Sequence, residues 1–182
     1  MNFPVTFSDR LQKLPPYLFA ALDASKRRAK AEGRDIIDLG VGDPDLPTPK
    51  PVIAALYQAA KDPRHHRYAL DQGLPELRRE IAAWYKRRFH VALDPDAEIL
   101  PLIGSKEGIA HLPLALVNPG YRVLVPDPCY PPYRSGALFA GGEVVTLPLS
   151  EANGFRPDFS RLKAPSLKKA KLLFLKPEHI KK

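Results

Sequence analysis

The sequence predicts an α/β fold with a largely parallel sheet, and three observations carry that prediction. From Ile99 onward short apolar runs alternate with helix-length segments, the order that builds strand–helix–strand units. Between Leu74 and Phe89 the apolar residues Leu74, Leu77, Ile81, Trp84, Tyr85 and Phe89 recur at helical spacing. Arg78, Arg79, Glu80, Lys86 and Arg87 fall mostly on the other side of that helix. Proline and glycine mark the breaks, as at Asn118-Pro119-Gly120.

Taken in order, residues 1–15 read as an extended arm rich in proline and aromatics. Leu18–Lys30 is expected to be a helix, with Leu18, Leu22 and Ala29 on one face and Gly33 as its stop. Ile36–Leu39 is a short apolar run and is expected to be a strand, after which Gly40–Asp45 turns the chain. Val52–Lys61 and Leu74–Phe89 are the next helices, and Trp84 and Tyr85 are expected in the core. The alternation then gives a strand at 99–103, a helix at 106–117, a strand at 122–126 and a helix near 131–140. Strands at 143–148 and 170–175 close the series. Ligands of such sheets bind beyond the carboxyl ends of the strands, where loops open helices.

Composition removes several classes of function. The chain has 182 residues, 45% hydrophobic and 26% charged, which is ordinary for a globular domain. The 21 prolines cluster in short stretches such as Leu46–Pro51 and Asp127–Pro132, and read as rigid loops. The net charge of +8 belongs to one end: residues 161–182 hold eight Lys and Arg against Glu178 alone. No binding module with interleaved aromatics accompanies that charge, so nucleic acid is not expected as a partner. A single cysteine, Cys129, forbids an intrachain disulfide framework. The opening MNFPVTFSDR is no secretory signal, and no apolar run approaches a membrane span. A cytoplasmic location, away from membranes, is expected.

Chemistry concentrates between Gly104 and Tyr133. Gly104-Ser105-Lys106 stands where a strand should give way to a helix. Free N–H groups and the helix dipole make that position attractive to anions. Gly104 allows close approach, Ser105 adds a hydroxyl and Lys106 a charge. A Gly-Ser pair also serves as a plain helix cap, and it matches neither the Walker phosphate loop nor the dinucleotide fingerprint. Tyr130, in Asp127-Pro128-Cys129-Tyr130-Pro131-Pro132-Tyr133, follows the next strand. It either stacks on a planar ligand held at Ser105 or packs in its own proline-rich turn. Cys129 reads as a buried thiol. His65 and His66 are adjacent and diverge on any regular backbone, so no metal site is expected. Asp43 and Asp45 read as loop carboxylates.

Four segments together resemble a known family. Leu39–Pro49, Tyr68 with Gly73-Leu74-Pro75-Glu76-Leu77-Arg78, Gly104–Gly108, and Asp127–Pro131 stand in the order and spacing of fold-type-I pyridoxal-phosphate aminotransferases of class I/II. With Leu14–Phe19 and the run GSKEGIAH at 104–111, the chain looks most like the LL-diaminopimelate branch. The resemblance implies that Gly104, Ser105 and Lys106 bind the cofactor phosphate and that Tyr130 stacks on its ring. It implies that Tyr68 reaches the phosphate of a partner subunit in a homodimer, and that Gly42 lies near the substrate carboxylate. The reaction implied moves an amino group between an amino acid and a 2-oxo acid, in amino-acid and lysine biosynthesis.

The same resemblance implies an organisation. Residues 1–35 would be an arm and helix, 36–175 a partial cofactor-binding large domain, and 176–182 a tail unlike the family. No residue here matches the family's Schiff-base lysine, the aspartate at the pyridine nitrogen or the arginine for the substrate carboxylate. The expectation is therefore a truncated chain with no catalytic residue of its own, inactive by itself. The alternative is a non-catalytic binding or dimerisation module derived from that fold.

Overall fold

Strand β1 (Arg122–Asp127) is apolar on both faces, and its residues Val123 to Pro126 are all buried. Such a strand must be covered on two sides and paired on two edges. It is central in a three-stranded sheet of order β2-β1-β3. The computed structural model, which describes residues 5–40, 42, 44–69 and 72–176, shows both pairings as parallel. Strand β2 (Glu143–Pro148) runs in register with β1 from Arg122↔Glu143 to Asp127↔Pro148. Strand β3 (Ala170–Leu173) pairs Val123↔Leu172 and Leu124↔Leu173 after a shift at Arg122. The expected α/β class with a parallel sheet is what forms.

Two helices close one side of this sheet. Helix α5 (Ser105–Leu116) precedes β1, and α6 (Pro131–Phe139) carries the chain from β1 to β2. They pack closely because α6 has Gly136 at the crossing, where an added Cβ would lie 2.9 Å from the Ala110 carbonyl oxygen. Pro113, inside α5, is buried at the same contact. The core gathers Val117, Val123, Val125, Tyr133 and Ala137. Tyr133 stacks on Phe174 with ring centroids 4.5 Å apart and planes 7° apart, which ties α6 to the end of β3.

The chain divides into two compact units, residues 1–33 with 103–182, and residues 34–102. The first also holds α1 (Asp9–Gln12), α2 (Leu18–Ala31) and α7 (Ala164–Lys168). Helix α1 interrupts the arm expected to be extended, because the Ser8 hydroxyl accepts from the Leu11 N–H and caps a single turn. Helix α2 ends within a residue of expectation and Gly33 follows at φ +76°. The second unit holds α3 (Lys50–Ala60) and α4 (Pro75–Phe89).

Two expected strands do not form. Residues 36–39 and 99–103 have no strand pairing, and Ile37, Leu39 and Ile103 stand almost fully exposed. An apolar run becomes a strand only where a neighbouring ladder satisfies its N–H and C=O groups. Pro101 removes one donor from the second run in any case. Trp84 and Tyr85 are also not core residues, at 47% and 37% exposed. Helical spacing shows which face of α4 could be covered, and here that face is open. Its rings cluster with one another instead, Trp84 edge-on to Tyr85 at 5.3 Å and to Phe89 at 5.1 Å. The buried residue of α4 is Arg78. Among the described residues no helix is long and apolar enough to cross a membrane.

These contacts set an order of sensitivities. Leu147→Ala empties a fully buried position of β2, and is expected to lower the unfolding free energy by about 2–5 kcal/mol. Gly136→Ala forces α5 and α6 apart, at about 1–3 kcal/mol. Ile103→Ala, at a side chain 94% exposed, is expected to change stability by less than about 0.5 kcal/mol. Urea unfolding followed by circular dichroism measures all three.

Candidate functional site

The loop into α5 turns at Gly104, whose φ of +81° and ψ of 156° suit a residue without a Cβ. No side chain caps the helix. Glu107 in the first turn folds back and accepts the Ile103 N–H through Oε2 at 2.7 Å. That bond satisfies the amide ahead of the turn and leaves the exposed helix start at Ser105 and Lys106 uncapped. A twelve-residue helix then presents its positive end and these N–H groups to solvent. The Glu107 carboxylate opposes an incoming anion, and the neighbouring Lys106 ammonium offsets it.

Lys106 also connects this helix start to Tyr130. Its Nζ lies 5.8 Å from the centre of the Tyr130 ring, within reach of a cation–π contact. Tyr130 is the residue before α6, and Pro131 and Pro132 form the first turn of that helix. A following proline confines Tyr130 to the extended conformation it adopts, φ −67° and ψ 122°. Its half-buried ring is braced edge-on by Tyr133 at 5.8 Å. Because Tyr133 is stacked on Phe174, an aromatic ladder runs from the core to the exposed face of Tyr130.

Beside them lies a cavity of about 640 Å³, lined by Leu14, Tyr17, Lys106, Asp127, Cys129 and Arg134 among others. Cys129 is half-buried. Burial raises its thiol pKa, the Asp127 carboxylate raises it further, and the Arg134 guanidinium partly counters both. The thiol is therefore held protonated and is a poor nucleophile.

Of the residues singled out in the sequence, the structure brings Lys106, and with it the Gly104–Ser105 helix start, to Tyr130. Gly42 and Tyr68 belong to the other unit. Gly42 lies exposed in its loop with open space around it, and Asp43 is outside the described residues. Tyr68 is 95% exposed and borders a shallow depression with His66 and Arg67. His65 Nδ1 and His66 Nε2 bond the Ala59 and Ala60 carbonyls at 2.8 and 2.9 Å, so both rings cap α3. Among the described residues no His, Cys, Asp and Glu cluster could hold a metal. Two contributors were not singled out from the sequence. Tyr133 was readable from its spacing, since i and i+3 share a helix face. The backward reach of Glu107 had no sequence signal beyond an acid in a first turn.

Residues 34–176 match the family model described as aminotransferase class I and II. The chain belongs to that family. It is 56% identical over 169 residues to the LL-diaminopimelate aminotransferase of Aquifex aeolicus, covering 93% of this chain and 44% of that one. The enzyme of the same name from Syntrophobacter fumaroxidans is 51% identical, over 92% of this chain and 43% of its own. Among solved structures, substrate-bound BacF from Bacillus subtilis overlays with a TM-score of 0.84 and 40% identity, over 95% of this chain and 44% of that one. The chain thus spans less than half the length of each of these relatives.

The donors at the start of α5 fit the phosphate of the cofactor that the resemblance implies. A Cβ at Gly104 would meet nothing within 4 Å, so the approach is open. Tyr130 supplies a flat partner of the right kind for its ring. The thiol chemistry is testable directly. Alkylation of Cys129 by iodoacetamide is expected to show a pH–rate midpoint above that of free cysteine. A midpoint at or below the free-cysteine value contradicts the surroundings described.

Proposed function

We propose that this chain provides the phosphate-and-ring side of a pyridoxal-phosphate site in an aminotransferase. The observation that carries the reading is the Lys106–Tyr130 contact at the uncapped start of α5. Ser105 donates its hydroxyl and N–H to the phosphate, Gly104 lets the phosphate approach, and Lys106 balances its charge. Tyr130 holds the ring by stacking, with Tyr133 behind it. Tyr68, almost fully exposed, reaches the phosphate bound by a second copy in a homodimer, and Gly42 lies beside the substrate carboxylate. The cofactor, when bound, draws electrons from the Cα of an amino acid. The chain's own residues bind it, orient it and hold its charge.

The substrate pair is an amino acid and a 2-oxo acid. LL-diaminopimelate is the amino acid to test first, since the relatives carry that name over nine-tenths of this chain. The setting is lysine biosynthesis in the cytoplasm. No residue of the 182 matches the family's cofactor-linking lysine, and we read the polypeptide of this sequence as inactive by itself. A non-catalytic binding or dimerisation module is the alternative.

Binding separates these readings. Ser105→Ala is expected to weaken pyridoxal 5′-phosphate roughly tenfold, the scale of one charge-assisted hydrogen bond, and to leave pyridoxal unaffected. Tyr130→Ala is expected to weaken both forms, and Tyr130→Phe to restore them. Equal affinity of wild type and Ser105→Ala for the phosphate form contradicts the site. A chain that dimerises in sedimentation yet binds neither form supports the module. A coupled assay with LL-diaminopimelate and 2-oxoglutarate is expected to detect no transamination by the 182-residue polypeptide, and turnover disproves its inactivity.

A further inference from the structure

Lys106 is an exposed residue in the first turn of α5, yet its ammonium is not simply turned into solvent. Nζ stands over the Tyr130 ring, 5.8 Å from its centre. Such contacts are ordinary where helix spacing supplies them, as at Lys61 over Tyr57, four residues apart at the end of α3. Lys106 and Tyr130 belong instead to the starts of two different helices. Glu107, the neighbouring carboxylate, is turned back to the Ile103 N–H at 2.7 Å and does not hold the ammonium.

The contact covers the surface that a stacked ligand needs. A ring whose phosphate is held at Ser105 has to lie on the face of Tyr130 turned toward the start of α5, and Lys106 stands over that face. A stacked ring sits about 3.5–4 Å from the tyrosine plane and keeps further atoms at the same distance on its outer side, about 7 Å or more from Tyr130. At 5.8 Å the ammonium stands inside that layer, so a planar ligand has to displace it. The flexible four-carbon stem of lysine lets it swing aside with the backbone in place. A phosphate compensates for the displacement, because the ammonium exchanges a ring quadrupole for a full negative charge. A ring without an anionic group offers no such exchange, and the cation–π contact is lost outright.

We propose that Lys106 is a specificity-determining residue: by standing over Tyr130 it admits planar rings that carry a phosphate and disfavours those that do not. The inference rests on the reading of this place as the phosphate-and-ring side of a cofactor site. It goes beyond charge balance, because one side chain acts in opposite directions on two ligands.

The test uses the 182-residue chain and three probes, pyridoxal 5′-phosphate, pyridoxal and inorganic phosphate. Lys106→Met keeps much of the side-chain length and removes the charge at an exposed position, where folding is little affected. It is expected to weaken the phosphate form about tenfold and to tighten pyridoxal about two- to fivefold, the worth of an exposed cation–π contact. Lys106→Arg keeps the charge and is expected to keep the wild-type preference. Inorganic phosphate is expected to shift the Tyr130 ring resonances of wild type in NMR spectra as the ammonium leaves, and not those of Lys106→Met. Pyridoxal affinity unchanged or weakened in Lys106→Met overturns the proposal. Where pyridoxal binds too weakly to measure, the phosphate titration decides. If phosphate shifts the Ser105 amide of wild type and leaves the Tyr130 ring unmoved, or moves that ring equally in Lys106→Met, the inference alone falls. If phosphate shifts neither and wild type binds neither ring, the site reading falls and the inference with it.

Discussion

The double-sided burial of β1 is the constraint on which the site depends. Val123, Leu124 and Val125 leave that strand no solvent face, so a parallel neighbour must pair with each edge and helices must cover it. The connection from β1 to β2 therefore has to cross the sheet, and α6 is that crossing. Tyr130 stands at the first step of it. On the same side α5 packs against α6 at Gly136, which places the start of α5 within reach of Tyr130. The geometry of the site follows from covering the strand.

The aromatic ladder carries this packing outward to the candidate site. Phe174 lies just beyond β3, Tyr133 is buried on α6, and Tyr130 is half exposed beyond them. Each ring limits the next, so the outermost is held by contacts that also stabilise the fold. Lys106 approaches the same ring from the other helix. A charge suited to an anion and a flat surface suited to a ring are thus held by one helix pair.

Much of this was legible in the sequence where local pattern and burial agree. The run from Ser105 to Pro148 folds within a residue or so of its pattern, because apolar strands, proline and glycine all point the same way there. Gly104, Ser105 and Lys106 were legible as a helix start that could attract an anion, Tyr130 as a ring either free to stack or packed in its own turn, and it was the family resemblance that grouped them. The failures lie where pattern needs a distant surface. Ile36–Leu39 and Ile99–Ile103 have strand character without a ladder to join, and Trp84 and Tyr85 have core character without a core to face. Arg78 was read as part of the polar face of α4 and as the end of the Gly73–Arg78 segment, and neither reading reveals a buried charge held by Gln72 and Asp96.

The two prolines after Tyr130 have a consequence for recognition. They restrict backbone torsions before any ligand arrives, and the Tyr133 ring stands edge-on against the Tyr130 ring. A planar molecule settling there meets a surface already ordered, so little of its binding free energy is consumed in freezing the protein. A platform of this kind would select a ligand by fit to a shape fixed in advance, and one of the wrong thickness or tilt would find a surface that does not adapt to it.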